Sequence, residues 1–255
     1  SGVFEITETL TLNEQNTELS LGTSETSISK CNFVSKTVTM SGSNMKCKTL
    51  TMDAQSNLNT TTSALNVETF TSSGESITIN GDINIMNTFT ISDTTTIKLS
   101  QDKTISVSSC LFGSKTLTIS NGKMKCTSTT MNDNSNISLT NEGTIELGTL
   151  RTGNKLTIKD GNVSASSISF TTSTTEFNLE NTQLTIPTID LSKQEITITS
   201  GTLKCTDELT IDSTSSIDLT TKGNLSVGKL ISTGDKIKII NGEITLNEYS
   251  LQKET

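Results

Sequence analysis

Five cysteines are the residues of this chain whose chemistry and spacing most need an explanation. Two series of them recur at an interval of 79 residues, namely Cys47, Cys126 and Cys205, and Cys31 with Cys110. A thiol can ligate a metal, form a disulfide, act as a nucleophile or pack as a small apolar side chain. Because the chain contains no histidine and no close cysteine cluster, a metal site is disfavoured and a Cys–His catalytic pair is excluded.

No other constellation in the sequence indicates catalysis. Without histidine there is no Ser–His pair, and no glycine-rich phosphate loop is present. Asp190 and Arg151 fall near each other on one predicted face, and we interpret them as scattered surface charge. We therefore expect a protein that is not an enzyme, with no catalytic residue, no cofactor and no metal.

Charge and hydropathy restrict the partners. The net charge is −8 and the chain has a single arginine, Arg151, whereas a nucleic-acid-binding face needs clustered lysine and arginine. No apolar run approaches the ~20 residues that a membrane-spanning helix needs. We expect no nucleic acid as a partner and no direct insertion into a membrane.

Glycines and apolar pairs reveal the elements that position the cysteines. Six glycines are spaced by 39 to 41 residues and predict a repeated turn with positive φ: Gly42, Gly81, Gly122, Gly161, Gly201 and Gly242. Within each such unit, apolar residues separated by one polar residue recur about every 20 residues in three series. Representative pairs are Leu19/Leu21, Val38/Met40, Leu58/Thr60, Ile77/Ile79 and Ile97/Leu99 in the first series, Met45/Cys47, Leu65/Val67 and Ile83/Ile85 in the second, and Leu10/Leu12, Cys31/Phe33 and Leu50/Met52 in the third.

This periodicity predicts an all-β fold, a single-stranded parallel β-solenoid with three short strands per coil, about 20 residues per coil and about twelve coils. Higher repeats of 40 and 79 residues correspond to two and four coils. Each strand is expected to pair with its equivalent one coil away, since a slip of one residue would turn every apolar side chain outward. We expect residues 1–255 to form one continuous domain, part of a longer protein or the unit of a stacking filament. The pattern resembles, at the level of architecture, the extracellular parallel β-solenoid and β-helix repeat proteins.

On such a solenoid the two cysteine series take two different inward sites. Equivalent cysteines then lie four coils, or ~19 Å, apart, which is too far for a disulfide. A Cys31–Cys47 or a Cys110–Cys126 bridge would join neighbouring coils, but the third copy has Ile189 at the matching site. We therefore expect buried free thiols, with the two bridges as the alternative.

Outward positions on the third strand of each coil repeat the pattern Thr-x-Thr. The candidate binding face consists of Thr49, Thr51, Thr69, Thr71, Thr88 and Thr90. Stacked Thr-x-Thr resembles the ice-binding face of insect antifreeze solenoids, where rows of hydroxyl and methyl groups are thought to order water. The alternative is that threonine suits any exposed β surface, and Lys30 and Asn32 interrupt the array early.

Four N-glycosylation acceptors occur, at Asn59, Asn136, Asn162 and Asn224. A chain this rich in Asn, Ser and Thr produces several such motifs by chance. They become sites only if a eukaryote secretes the protein.

These features favour a non-enzymatic structural module, a rod-like stalk or a fibre or filament component located outside the cell or on its surface. We expect it to self-associate end to end through open coil ends. The alternative is an adhesin or carbohydrate-binding surface module that holds a glycan or another surface ligand along one face. A third hypothesis is an ice-binding protein.

Overall fold

The computed structural model describes residues 4–12, 16–20, 25–33, 37–41, 45–53, 56–60, 65–73, 76–113, 115–132, 135–220, 222–233, 238–240 and 243–251. Every regular element in these ranges is a β-strand, and no helix there could span a membrane. The strands are β1 (Phe4–Leu12), β2 (Asn16–Ser20), β3 (Thr26–Phe33), β4 (Thr37–Ser41), β5 (Met45–Met52), β6 (Asn57–Thr60), β7 (Leu65–Ser72), β8 (Ser76–Asn80), β9 (Ile83–Ile91), β10 (Thr95–Leu99), β11 (Thr104–Phe112), β12 (Thr116–Ser120), β13 (Lys123–Met131), β14 (Asn136–Thr140), β15 (Thr144–Glu146), β16 (Thr149–Thr152), β17 (Lys155–Ser164), β18 (Ser167–Phe170), β19 (Thr174–Asp190), β20 (Glu195–Ile211), β21 (Ser216–Leu219), β22 (Gly223–Ser232), β23 (Lys238–Ile240) and β24 (Glu243–Leu251).

The strands wind as a parallel β-solenoid with about 20 residues per turn, which confirms the predicted fold class, and the number of turns is about 10 where about twelve coils were predicted. Packing divides the chain into two compact units, Ser1–Thr127 with Leu139–Ile145, and Ser128–Ser138 with Glu146–Thr255. Within each unit, strands pair in parallel with their counterparts one coil away. That residues 1–255 form one continuous domain stays a prediction.

Each coil presents three faces, as the sequence predicts. The first face consists of short strands such as β8 and β10, where Ile77 pairs with Ile97 and both are fully buried. The second and third faces come from the two halves of longer strands such as β9 and β11. Ile83 pairs with Ile105 on the second face, and Phe89 pairs with Cys110 on the third. Alternation of inward apolar and outward polar residues therefore fills a narrow core on three sides.

Aromatic stacking reinforces the third face in the first unit. The ring centroids of Phe70 and Phe89 lie 5.2 Å apart, and those of Phe89 and Phe112 lie 6.4 Å apart in an edge-to-face arrangement. Offset and edge-to-face pairs of this kind are worth about 0.5–1.5 kcal/mol beyond the burial of their area. Like residues stacked on like thus help to fix the register.

The first face does not climb in a constant register, contrary to the simple ladder predicted from the sequence. Ile77 and Ile97 pair in phase, but Leu58 pairs with Ile79 and Ile97 pairs with Ile119, each two residues farther along. The same offset recurs between Ile137 and Ile158, between Phe177 and Ile198, and between Ile217 and Ile239. Because a shift of two residues leaves every side chain on its own face, the apolar pattern is preserved and hides the offset.

The predicted first rung is also corrected by this geometry. Leu19 pairs with Met40, and Thr17 pairs with Val38, so this rung is also two residues out of phase with the next one. Leu21 lies outside the described residues.

Buried hydroxyls fill the position that each offset opens. A buried serine or threonine lies two residues before each apolar residue that pairs out of phase with the next coil. These residues are Ser56, Thr95, Ser135, Thr175 and Ser215. Ser215 Oγ donates to the Leu191 carbonyl at 2.7 Å, and Thr175 Oγ1 donates to the Gly153 carbonyl at 3.1 Å. These residues recur at intervals of 39 or 40, so the 40-residue repeat corresponds to one in-phase step followed by one offset step.

The repeated glycines serve two purposes. Gly122, Gly161 and Gly201 have positive φ, as the turn pattern predicts. Gly81 instead permits a close approach, because a Cβ atom there would lie 1.4 Å from Thr60 Oγ1. Gly42 and Gly242 lie outside the described residues.

Candidate functional site

The prediction of free thiols is wrong for four of the five cysteines. The structure contains the disulfides Cys31–Cys47 and Cys110–Cys126, with Cα–Cα distances of 6.4 and 6.0 Å. Cys31 pairs in the ladder with Leu50, three residues beyond Cys47, so the bridge runs from the third face of one coil to the second face of the next. The distance lies within the range that a disulfide tolerates, and each bridge therefore joins two successive coils.

Cys205 is the cysteine for which the prediction is confirmed, because its thiol is free and buried. Its Sγ lies 3.2 Å from the Pro187 carbonyl oxygen, and its neighbours in the ladder are Ile186 and Val227. Burial raises the pKa of the Cys205 thiol to about 11, although nearby backbone groups oppose this. A thiol that stays protonated is a poor nucleophile, so Cys205 serves as a core side chain.

The structure brings the six predicted threonines together in the first unit. On the third face Thr49 pairs with Thr69, and Thr69 pairs with Thr88. The residues two positions later form a second column of Thr51, Thr71 and Thr90. All six are half-buried, with neighbours ~4.8 Å apart across strands and roughly 7 Å apart along them. They form a two-by-three array of hydroxyl and methyl groups.

The threonine array ends abruptly on both sides. One coil earlier the two columns carry Lys30 and Asn32, and one coil later they carry Ser109 and Leu111. Leu111 is 39% exposed on this face. The array is therefore only three coils deep.

Asp190 and Arg151 have different neighbours on the third face. Asp190 accepts hydrogen bonds from the backbone N–H and the hydroxyl of Ser192, at 2.9 and 2.6 Å. Arg151 pairs in the ladder with Thr130 and Ser169. The Asp190 carboxylate thus stabilises its own turn, and the interpretation of both residues as scattered surface charge stays a prediction.

A polar groove lies at a corner in each unit, a feature that the sequence pattern did not reveal. The first, about 580 Å³ in volume, lies between stacked turns that contain Asp102, Asn121 and Glu142. All three residues have positive φ, which clusters polar side chains at the corner. The sequence does contain a signal for this groove. Asp102, Asn121 and Glu142 are spaced by about one coil, so polar residues suited to positive φ recur at the same corner.

The groove of the second unit, about 670 Å³ in volume, is lined by Glu180, Asn181, Gly201 and Lys222 among others. A hydrogen bond from Lys159 lowers the pKa of the Glu180 carboxyl, and a hydrogen bond from Asn178 adds to the effect. The groove is thus rich in hydrogen-bonding groups. Within the described ranges, no group of three or more His, Cys, Asp or Glu side chains could hold a metal ion.

The four glycosylation acceptors occupy different environments. Asn59 and Asn136 are half-buried on the first face, Asn59 within β6 and Asn136 as the first residue of β14. Asn162 and Asn224 are exposed at the start of the second face, on β17 and β22. The structure therefore separates motifs that the sequence alone leaves equivalent.

No protein-family model, no curated protein and no solved structure matches this chain significantly. The surfaces described above are therefore the basis on which a function is proposed.

Proposed function

We propose that this chain is a non-enzymatic structural module of a cell surface or an extracellular matrix, a stalk or a component of a fibre or filament. The observation that carries the proposal is the pair of disulfides, Cys31–Cys47 and Cys110–Cys126, each joining two successive coils. Disulfides persist in oxidising compartments and are rare in the cytosol. Covalent links along the direction of stacking oppose separation of the coils, which suits a protein that must endure outside the cell.

The outward polar side chains support the same proposal, because they bond from coil to coil. Asn59 Nδ2 donates to Thr39 Oγ1 at 3.3 Å, Asn80 Nδ2 donates to Asn59 Oδ1 at 2.5 Å, and Ser100 Oγ donates to Asn80 Oδ1 at 2.7 Å. This column spans four coils of the first unit. The outward polar side chains of this column thus stabilise the stack of coils.

Ion pairs also join successive coils. Lys155 contacts Glu176, and Lys159 contacts Glu180, each at 2.9 Å and each across one coil interval. Lys46 and Glu25 form another exposed pair. Exposed pairs contribute only about 0–1 kcal/mol each, so they supplement the backbone ladders and do not replace them.

Self-association through coil edges is part of the proposal. β24 pairs with β22, and its Leu246 and Tyr249 are 40% and 51% exposed. A second copy that added a parallel strand to β24 would continue the hydrogen-bond ladder and cover both side chains. The partner proposed is therefore another copy of this chain.

The test combines localisation, disulfide mapping and microscopy. Peptide mass spectrometry under non-reducing conditions should find both disulfides in native material recovered from outside the cell. Negative-stain microscopy should show end-to-end assemblies, which the variant L246K/Y249K should lose while keeping its circular dichroism spectrum. Native protein that is reduced and cytosolic would contradict the extracellular proposal, and a monomer at every concentration would contradict the assembly.

The threonine array favours two other hypotheses, the ligand-binding face of an adhesin and that of an ice-binding protein. Its two columns offer hydroxyl groups at the regular spacings of the strand ladder. A glycan array and a thermal-hysteresis measurement distinguish the two ligands. Either activity should disappear in T69K/T71K and persist in the control T78K, which changes an outward threonine of the first face.

A further inference from the structure

We infer that Asn162 and Asn224 are N-glycosylation sites and that Asn59 and Asn136 are not. This inference rests on the extracellular location proposed above, because N-glycans are added only in the secretory pathway. The chemistry requires an asparagine amide that can carry a bulky polar sugar and remain in solvent. The four motifs differ in whether the folded chain leaves that amide free.

Asn162 and Asn224 occupy equivalent positions in the second unit. The ladder on the second face runs from Asn162 to Gln183, then to Thr202, then to Asn224. Three coil intervals separate the two asparagines, or about 14 Å. Glycans on both would project from a single column of this face.

The local structure at each of these positions turns the acceptor outward. Asn162 follows Asp160 and Gly161, both with positive φ, and Asn224 follows Gly223 at the start of β22. Both asparagines are exposed, whereas the middle residues of the motifs, Val163 and Leu225, are buried. Each motif is thus anchored in the core by its middle residue, with the exposed asparagine directly after a corner of the coil.

Asn59 is unsuited because its amide belongs to the column of hydrogen bonds described above. Its Nδ2 donates to Thr39 Oγ1, and its Oδ1 accepts from Asn80 Nδ2. A sugar on Nδ2 would have to displace a neighbour one coil away and break this column. The loss would leave half-buried polar groups without partners, which is unfavourable.

Asn136 is unsuited because its surroundings are crowded. It is half-buried, it already takes part in another interaction, and its ladder neighbour Thr157 is only 5% exposed although it points outward. A surface that nearly buries a threonine has no room for a sugar beside it. The structure therefore tolerates glycans at the start of the second face and not at Asn59 or Asn136 on the first.

The experiment is site mapping on the full chain produced through a eukaryotic secretory pathway. Release of glycans with peptide-N-glycosidase in heavy-oxygen water marks each formerly occupied asparagine for peptide mass spectrometry. We expect most molecules with intact disulfides to be occupied at Asn162 and Asn224. N162Q and N224Q should each remove one glycan, S164A and S226A should do so without changing the asparagine, and N59Q and N136Q should leave the glycan mass unchanged.

Two failures are distinguishable. A secreted, disulfide-bonded chain that is unoccupied at Asn162 and Asn224 overturns the glycosylation inference alone, as does equal occupancy at Asn59 or Asn136. A chain that is reduced and retained contradicts the extracellular proposal. Glycan occupancy at the four asparagines is also measured in disulfide-bonded protein from inside the cell. The test therefore gives a result even when little protein is secreted.

Discussion

Ile189 and Cys205 occupy the two positions that a disulfide joins in each of the other two 79-residue repeats. Ile189 lies on the third face of β19 and is 1% exposed, and Cys205 lies on the second face of β20, one coil later. Sixteen residues separate them, the separation found in both disulfides. The third repeat therefore keeps the geometry of a disulfide but lacks one of its sulfurs.

The substitution I189C should create a third disulfide with Cys205. The backbone already places the two positions in adjacent coils, so little rearrangement is needed. Non-reducing peptide mass spectrometry should find the new linkage, and titration with Ellman's reagent in denaturant should find no free thiol. The matched control is L184C, since Leu184 is buried on the same strand but pairs with Leu203. Two free thiols in oxidised I189C would show that the third repeat differs in backbone geometry from the other two.

The same residues show why the sequence predicted the fold but not the cysteine chemistry. Apolar alternation with a fixed period determines which side chains face inward, and Ile77 over Ile97 follows from it directly. Whether Cys31 reaches Cys47 depends on how closely the chain approaches itself across a corner, which periodicity does not encode. The absence of a cysteine at position 189 rules out a bridge in one copy only and does not bear on Cys31–Cys47 or Cys110–Cys126.

The two-residue offset and the candidate sites also show that periodicity alone does not determine how successive coils align. Pairing Leu58 with Ile79 or with Ile77 buries the same side chains, so the pattern cannot distinguish the two registers. The alignment of Thr49 with Thr69 was predictable because both lie on the third face, where the described coils pair in phase. The different surroundings of Asn59 and Asn162 were not predictable from the sequence, because they depend on side-chain hydrogen bonds between coils.

The Cys205 thiol should resist alkylation in the folded protein up to strongly alkaline pH. Burial raises its pKa from 9.0 to about 11, so the unfolded thiol ionises first as pH rises. Its contribution to stability is therefore complete below pH 9 and is lost as pH rises through about 11. Iodoacetamide labelling at pH 8 should be slow in the native protein and fast in guanidinium. Rapid native labelling at that pH would contradict the buried position.

The substitution G143A should destabilise the protein, whereas G113A should not. A Cβ atom at Gly143 would lie 2.4 Å from the Ile119 carbonyl oxygen, and this backbone atom can move only if the coil shifts. The expected loss is roughly 1–3 kcal/mol. At Gly113 a Cβ atom would meet nothing within 4 Å, so that variant should be neutral or slightly stabilised. Denaturant unfolding of the two variants provides the comparison, and equal midpoints would mean that these coils are not packed so closely.

Asp212 should make part of the stability depend on acid pH. Partial burial opposes its ionisation, but hydrogen bonds from Thr214 and Ser215 outweigh this and lower the pKa of the carboxyl from 3.8 to about 2. A carboxyl whose pKa is lowered by folding stabilises the native state above its unfolded pKa, and this contribution is lost as pH falls from 3.8 to about 2. D212N should therefore be less stable than the parent at pH 7, and the difference should shrink as pH falls through this window.

Urea unfolding between pH 2 and 7 measures this difference in stability, with E195Q, at an exposed carboxylate of β20, as the control. A difference between D212N and the parent that stayed constant with pH would show that the turn is held by the Ser215 bond to the Leu191 carbonyl alone.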